Sequence, residues 1–309
     1  VRGHLISVEH LKKSFGRVRA VDDLSFDVEA GSVFAFLGSN GAGKSTTISC
    51  LTTTLRADSG SIVINGNRVG AHDARVRRDI GVVFQDSFLD PALSPRENLL
   101  LRGGLYGTHS VQRLRHRIDE LADIVDLGDF IDRRYGQLSG GQKRRADIAR
   151  ALIHDPSVLF LDEPTSGLDP HSREKVWSAI ATLRATAGLT VFLTTHYMEE
   201  AENANSVMII DHGRSVAHGT PLELRTKYST TLLRGEVLEH EGWEKVGRVL
   251  AQLGLSFSRE EKVLEVRVAE GQSAFEVAQA LSPALSNVEI RHGSMDQVFL
   301  SLTHEGDDK

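Results

Sequence analysis

Cysteine is almost missing from this 309-residue chain: Cys50 is the only one, so no internal disulfide can form. Long apolar runs are missing too, and none approaches the roughly 20 residues that a membrane-spanning helix needs. Basic residues are in deficit, 36 Lys and Arg against 42 Asp and Glu, and a formal charge of −6 argues against a nucleic-acid binder. The start, Val1-Arg2-Gly3-His4-Leu5, lacks the charged-then-apolar layout of a secretory signal. Apart from His196, the histidines show no ligand spacing, so no transition-metal site is expected. These absences make a soluble protein of the cytosol the expectation. A hydrophobic fraction of 40% and a charged fraction of 25% are those of a globular chain, long enough for one ordinary domain and a smaller companion. Small basic clusters, at Arg75, Arg77 and Arg78, at Arg113, Arg115 and Arg117, and at Lys143, Arg144 and Arg145, read as solvated helix faces, with a partner or anionic lipid as the other reading.

Glycine, by contrast, is concentrated where phosphate chemistry needs it. The run Gly38-Ser39-Asn40-Gly41-Ala42-Gly43-Lys44-Ser45, followed by Thr46, has the glycines that let backbone N–H groups turn inward around phosphates, and it opens a helix whose dipole favours negative charge. Lys44 is placed to bind the β and γ phosphates. Ser45 offers a hydroxyl to Mg²⁺, and Asp162, at the end of the apolar run Val158-Leu159-Phe160-Leu161, is suited to hold the same ion. Glu163 follows directly and is the candidate base for the attacking water. His196 reads as a contact to the γ-phosphate or the water, or as a structural histidine. A second glycine-rich helix start, Leu138-Ser139-Gly140-Gly141-Gln142, offers either a second anion site or a plain helix N-terminus. Phe15 reads as an adenine-stacking ring or as core, and Cys50 as a small buried hydrophobe. The motifs together predict binding and hydrolysis of ATP with Mg²⁺.

Four apolar runs, at residues 33–37, 80–84, 158–161 and 191–193, predict strands of a sheet covered on both faces. Their carboxyl ends deliver Gly38, Gln85, Asp162 and, past Thr194-Thr195, His196, so one site is expected beyond one sheet edge. Ile48, Leu51 and Leu55 mark a helix after the loop, and Asp169-Pro170 caps another that runs through Val176, Ile180 and Leu183. Ser94-Pro95-Arg96-Glu97 is a capping box, and Val111, Leu114, Ile118, Leu121 and Val125 repeat at helical spacing, so residues from about 92 to 150 read as a helical insertion.

These motifs resemble the nucleotide-binding subunit of an ABC transporter, over residues 5–219. In that family's terms Phe15 resembles the A-loop aromatic, Gly38 to Ser45 the Walker A, Gln85 the Q-loop glutamine that touches Mg²⁺, and Leu138 to Gln142 the signature motif. Val158 to Asp162 resembles the Walker B, Ser166 to Asp169 the D-loop, and His196 the switch histidine. The resemblance implies a head-to-tail homodimer in which Ser139, Gly140 and Gly141 of one chain close over ATP held by the other, on the cytoplasmic face of a separate polytopic membrane subunit. A narrower likeness, through Phe88-Leu89-Asp90 with Glu97-Asn98-Leu99, Leu105-Tyr106-Gly107 and Met295-Asp296-Gln297-Val298-Phe299-Leu300, is to drug and antibiotic exporters of the daunorubicin-resistance type. Gln142 departs from that subgroup, which often has methionine there. A non-transport ATPase acting on ribosomes or DNA is the rival, disfavoured because such proteins usually hold two ATPase domains or a long coiled coil; an importer subunit is disfavoured by the subgroup alone.

The expected fold is α/β: a P-loop (RecA-like) ABC ATPase domain over residues 1–222, then a small α+β domain over 223–309. In the latter, runs near 230–238, 255–258, 264–268 and 288–291 read as strands, with helices through Trp243, Val246, Leu250 and Leu253, over 274–281, and after a cap at Ser294. The order βαββαβ plus a helix is compatible with a ferredoxin-like domain, read as regulatory or dimer-stabilising.

Overall fold

A computed structural model describes residues 3–107, 110–238, 240–268, 272–291 and 293–304. The chain divides into two compact units, Val1–Val216 and Ala217–Lys309, a few residues ahead of the boundary expected from sequence.

The first unit begins with β1 (His4–Phe15), β2 (Val18–Glu29), β3 (Val33–Gly38), α1 (Lys44–Leu51), β4 (Ser59–Ile64), β5 (Asn67–Arg68), α2 (Asp73–Asp79) and β6 (Ile80–Val83). Three helices follow, α3 (Pro95–Leu105), α4 (Val111–Ile124) and α5 (Gly140–Leu152), then β7 (Val158–Asp162), α6 (Pro170–Ala187), β8 (Thr190–Thr195), α7 (Met198–Ala201), β9 (Ser206–Asp211) and β10 (Arg214–Gly219), the strand in which the boundary falls. The central sheet has the order β10-β9-β3-β8-β7-β6, with parallel pairing from β9 through β6. Every residue of β3, β7 and β8 is buried, as near-continuous apolar strands require. An antiparallel sheet, β2-β1-β4-β5, packs on one face. Its Phe26 stacks on Phe34 of β3 with ring centroids 5.3 Å apart, and Phe36, Phe160 and Phe192 complete an aromatic core. Burying each ring contributes on the order of 2–3 kcal/mol of transfer free energy.

The parallel order brings the carboxyl ends of β3, β8 and β7 side by side, and these are the ends that hold the motif residues. The insertion between β6 and β7 is helical as its periodicity predicts. Ser94 and Glu97 form the capping box of α3, and Leu114, Ile118 and Leu121 bury one stripe of α4, although Val111 is exposed. Leu55 lies beyond the end of α1, which stops at Leu51.

The second unit holds α8 (Pro221–Tyr228), β11 (Thr231–Val237), α9 (His240–Leu253), β12 (Phe257–Glu260), β13 (Val263–Val268), α10 (Ala274–Leu281), β14 (Leu285–Arg291) and α11 (Met295–His304). The four strands form one antiparallel sheet in the order β12-β13-β11-β14. Read from the other edge this is fourth, first, third, second, the ferredoxin-like arrangement that βαββαβ connectivity allows. Val246 and Leu250 of α9 and Val277 and Leu281 of α10 bury themselves with Leu233, Leu264 and Val266 of the strands.

Candidate active site

The loop between β3 and α1 is shaped by glycines that nothing else can replace. Gly43 has φ of 106°, and a Cβ there would stand 2.2 Å from the carbonyl oxygen of Ala20; at Gly38 it would stand 2.7 Å from that of Ile210. Gly41, with φ of 85°, lies on the open rim with Ser39, Asn40 and Ser45, while Ala42 is buried and Thr46 half-buried. Helix α1 starts without a side-chain cap, whereas α3, α4, α5, α6 and α8 are capped by Ser94, Ser110, Ser139, Asp169 and Thr220. First-turn N–H groups have no acceptor within their own helix, so the loop presents donors in need of an anion.

Lys44 is buried, and its Nζ donates to the carbonyls of Gly38 at 2.8 Å and Ser39 at 3.0 Å. Burial lowers its pKa, opposed by the charges of Glu163 and Asp162. Across the site, Asp162 Oδ1 lies 3.4 Å from Ser45 Oγ and accepts from Thr194 Oγ1 at 2.5 Å. Glu163 Oε1 sits 3.7 Å from Lys44 Nζ and 3.2 Å from His196 Nδ1. The His196 contact is one of proximity: Nδ1 is buried without a well-directed hydrogen bond, which leaves it a partner to find. Its ring rests on Tyr197 with centroids 4.1 Å apart.

Glu163 is held in an uncommon backbone conformation, φ of 46°. Its N–H donates to Thr194 at two atoms, the carbonyl at 3.2 Å and Oγ1 at 3.1 Å. Thr194 thus fixes the backbone of Glu163 and the side chain of Asp162 together, a role the motif reading did not assign.

Among the described residues, no hydrogen bond joins the remaining candidates to this cluster. Gln85 is exposed just past β6, and no hydrogen bond joins it to Ser45 or Asp162 among the described residues. Phe15 ends β1 with 52% of its surface exposed and Lys13 Nζ 5.6 Å from its ring centre, so the core reading is wrong for it. Ser139 caps α5 by accepting from Gln142 N, and Gln142 Oε1 accepts in return from Ser139 N at 3.0 Å. Gly140 is exposed, while Gly141 is buried so close to α6 that a Cβ would stand 2.4 Å from Ser172 Oγ. Among the described residues no hydrogen bond or ion pair links Ser139–Gln142 to the loop of residues 38–45. Asp169 caps α6 through Ser172 N, and these bonds to Ser172 hold its carboxyl below the usual range. Cys50 is fully buried, and burial pushes its thiol up to about 11.

One basic cluster is not a solvated face. Arg144 and Arg145 are buried, since each finds carbonyl acceptors inside: Arg145 on Asp126, Arg144 on Phe84, Asp162 and Pro164. Nearby Ser87, Tyr135 and Asp147 form a closed network, with Asp147 accepting from Ser87 Oγ at 2.7 Å and Tyr135 Oη at 3.0 Å. Burial pushes the Asp147 carboxyl up, against these two hydroxyls.

A chain with this loop, acid pair and glycine-rich helix start matches the family model described as ABC transporter over residues 21–166. It is 40% identical to the daunorubicin/doxorubicin resistance ATP-binding protein DrrA of Streptomyces peucetius, over 98% of this chain and 94% of that protein. The chain belongs to the ABC transporter family. This ABC ATPase is also 45% identical to the Nod factor export ATP-binding protein I of Rhizobium sp. (strain N33), over 70% of this chain and 71% of that protein. A solved dimeric cassette, in a post-hydrolysis state with ADP and phosphate, superposes with a TM-score of 0.63 at 27% identity, over 70% of this chain and 98% of that one. A cassette in its ADP conformation does so with a TM-score of 0.65 at 26% identity, over 72% of this chain and 92% of that one. As an ABC cassette the chain binds nucleotide and hydrolyses ATP. No helix among the described residues is long and apolar enough to cross a membrane.

Proposed function

We propose that this cassette powers the export of a hydrophobic, drug-like compound through a separate polytopic membrane subunit, and that it works at the cytoplasmic face as a homodimer with ATP and Mg²⁺ between the chains. The observation that carries the exporter reading is similarity to a drug-resistance ATP-binding protein along nearly the whole chain, the second unit included. Dimerisation is supported by the dimeric cassette relative, and among the described residues no hydrogen bond or ion pair ties Ser139–Gln142 to the loop of residues 38–45 of the same chain.

In this reading the loop from Gly38 to Ser45, continued by Thr46, cradles the triphosphate, and Lys44 neutralises its charge. Phe15, exposed at the end of β1, stacks on the adenine. The donor set fits Mg²⁺: the Ser45 hydroxyl and the Asp162 carboxylate are hard oxygen ligands 3.4 Å apart, and a site completed by phosphate oxygens and water needs few protein ligands. Gln85 adds an amide oxygen when the loop after β6 moves in. Bound there, Mg²⁺ would offset charge on the phosphate oxygens. Glu163 accepts the proton of the attacking water, and His196 orients that water or the γ-phosphate through the same pocket. Ser139, Gly140, Gly141 and Gln142, with Asp169, close the site from the partner chain.

Affinity purification of the chain from detergent-solubilised membranes of its own organism tests the transport reading. A stoichiometric polytopic membrane protein is the expected companion. Ribosomes or DNA recovered without one would overturn export and leave the ATPase intact.

A further inference from the structure

Arg144 stands one turn into α5, is buried to 7% exposure, and points each of its three guanidinium nitrogens at a main-chain carbonyl. Nε donates to Pro164 O at 2.8 Å, Nη2 to Asp162 O at 2.6 Å and Nη1 to Phe84 O at 2.5 Å. Two of these acceptors flank Glu163 on either side, and the third immediately precedes Gln85. Glu163 has φ of 46°, and a non-glycine residue stays in that region only where its surroundings over-determine it. Thr194 of the neighbouring strand β8 holds the Glu163 N–H, and Arg144 of α5 holds the carbonyls before and after it.

We infer that Arg144 is a positioning residue for hydrolysis, fixing the Glu163 turn and the start of the Gln85 loop to the helix that begins with the signature serine. The inference rests on the role proposed for Glu163 as base. A planar fork with donors in fixed directions can satisfy three diverging carbonyls at once, and a lysine ammonium on a flexible stem cannot. Helix α5 reinforces the link through Asp147, which neighbours the Arg144 charge and accepts from Ser87 two residues past Gln85.

The same helix provides its own comparison. Arg150 Nη2 donates to Val82 O at 2.5 Å, so Arg150 binds the edge strand β6 much as Arg144 binds the residue just past it, but among the described residues no hydrogen bond joins it to either neighbour of Glu163. If Arg144 only closed that edge, Lys at either position would do the same harm.

The test compares Arg144→Lys with Arg150→Lys in the full chain, reading kcat by phosphate release, nucleotide affinity with a fluorescent ATP analogue, and thermal unfolding. Displacement of a reacting group by about 1 Å can cost on the order of 100-fold in rate. Arg144→Lys is therefore expected to lose about 10- to 100-fold in kcat with affinity within about threefold, while Arg150→Lys lowers the unfolding temperature and keeps kcat within about twofold. In a Glu163→Gln background Arg144→Lys should have little further effect, because it acts through that residue. Unchanged kcat in Arg144→Lys, equal kcat losses at both arginines, or full additivity with Glu163→Gln would overturn the inference alone. Normal turnover of Glu163→Gln would instead remove the base assignment, and the inference with it. If Arg144→Lys does not fold, Asp147→Asn, isosteric but without the charge beside Arg144 and with one oxygen acceptor fewer for Ser87 and Tyr135, should lose kcat several-fold at unchanged affinity; no loss of kcat there counts against the role.

Discussion

Glu163 shows how much of this site depends on a single backbone angle. Its carboxylate faces both Lys44 and His196 because the chain turns into a positive φ directly after β7, and a residue left in the extended conformation would aim elsewhere. The motif residues were legible because each brings a chemistry that its position announces: glycines before Lys-Ser, two acids ending an apolar strand, a histidine ending another. Thr194 and Arg144 were not, because their partners are carbonyls and N–H groups of distant segments, and such bonds leave no spacing in the sequence. Lys44 gives the residue-scale prediction. Charge-assisted hydrogen bonds contribute about 1.5–3 kcal/mol each, so Lys44→Ala should weaken ATP binding by at least about tenfold, measured by equilibrium titration with a fluorescent analogue. Unaltered affinity would remove Lys44 from the phosphate site.

Helix α1 starts with no side-chain cap, as α2 and α7 also do, and the loop ahead of it is distinguished by how closely it passes β2. Gly43→Ala would push a Cβ into the Ala20 carbonyl and strain a left-handed residue, so a loss of more than about 1 kcal/mol in unfolding free energy is expected, together with impaired nucleotide binding. Chemical denaturation decides it, and wild-type stability would mean that the loop can be rebuilt without glycine. At this scale the buried parallel strands and the capped helices could be read directly, because continuous apolar runs and Ser or Asp caps are local signals. The antiparallel sheet was hidden for a physical reason. In β1 the alternation of Ile6 and Val8 breaks before Leu11, where His10 has φ of 51° and the pairing with β2 shifts register. Strands β9 and β10 went unread as well, and Arg144 and Arg145 looked like surface charge because burial by hydrogen bonding to carbonyls has no hydropathy signature. The second unit was read in its element order from β11 onward, with α8 ahead of it unread, while its sheet order came only with the strand pairings.

On the scale of the whole molecule, each chain holds a complete phosphate loop, acid pair and signature start, yet among the described residues no hydrogen bond or ion pair joins the signature to its own loop. Two chains facing each other would form two equivalent sites, and turnover would then be a cycle of closing on ATP and reopening after hydrolysis. The most direct measurement is the mass in solution of Glu163→Gln with and without ATP and Mg²⁺, by light scattering, alongside its turnover. A shift to twice the monomer mass with ATP, reversed on removing nucleotide, and a kcat lowered by about 100-fold or more are expected. A variant that hydrolyses ATP at the wild-type rate and stays at the same mass with nucleotide would contradict both the base and the shared site.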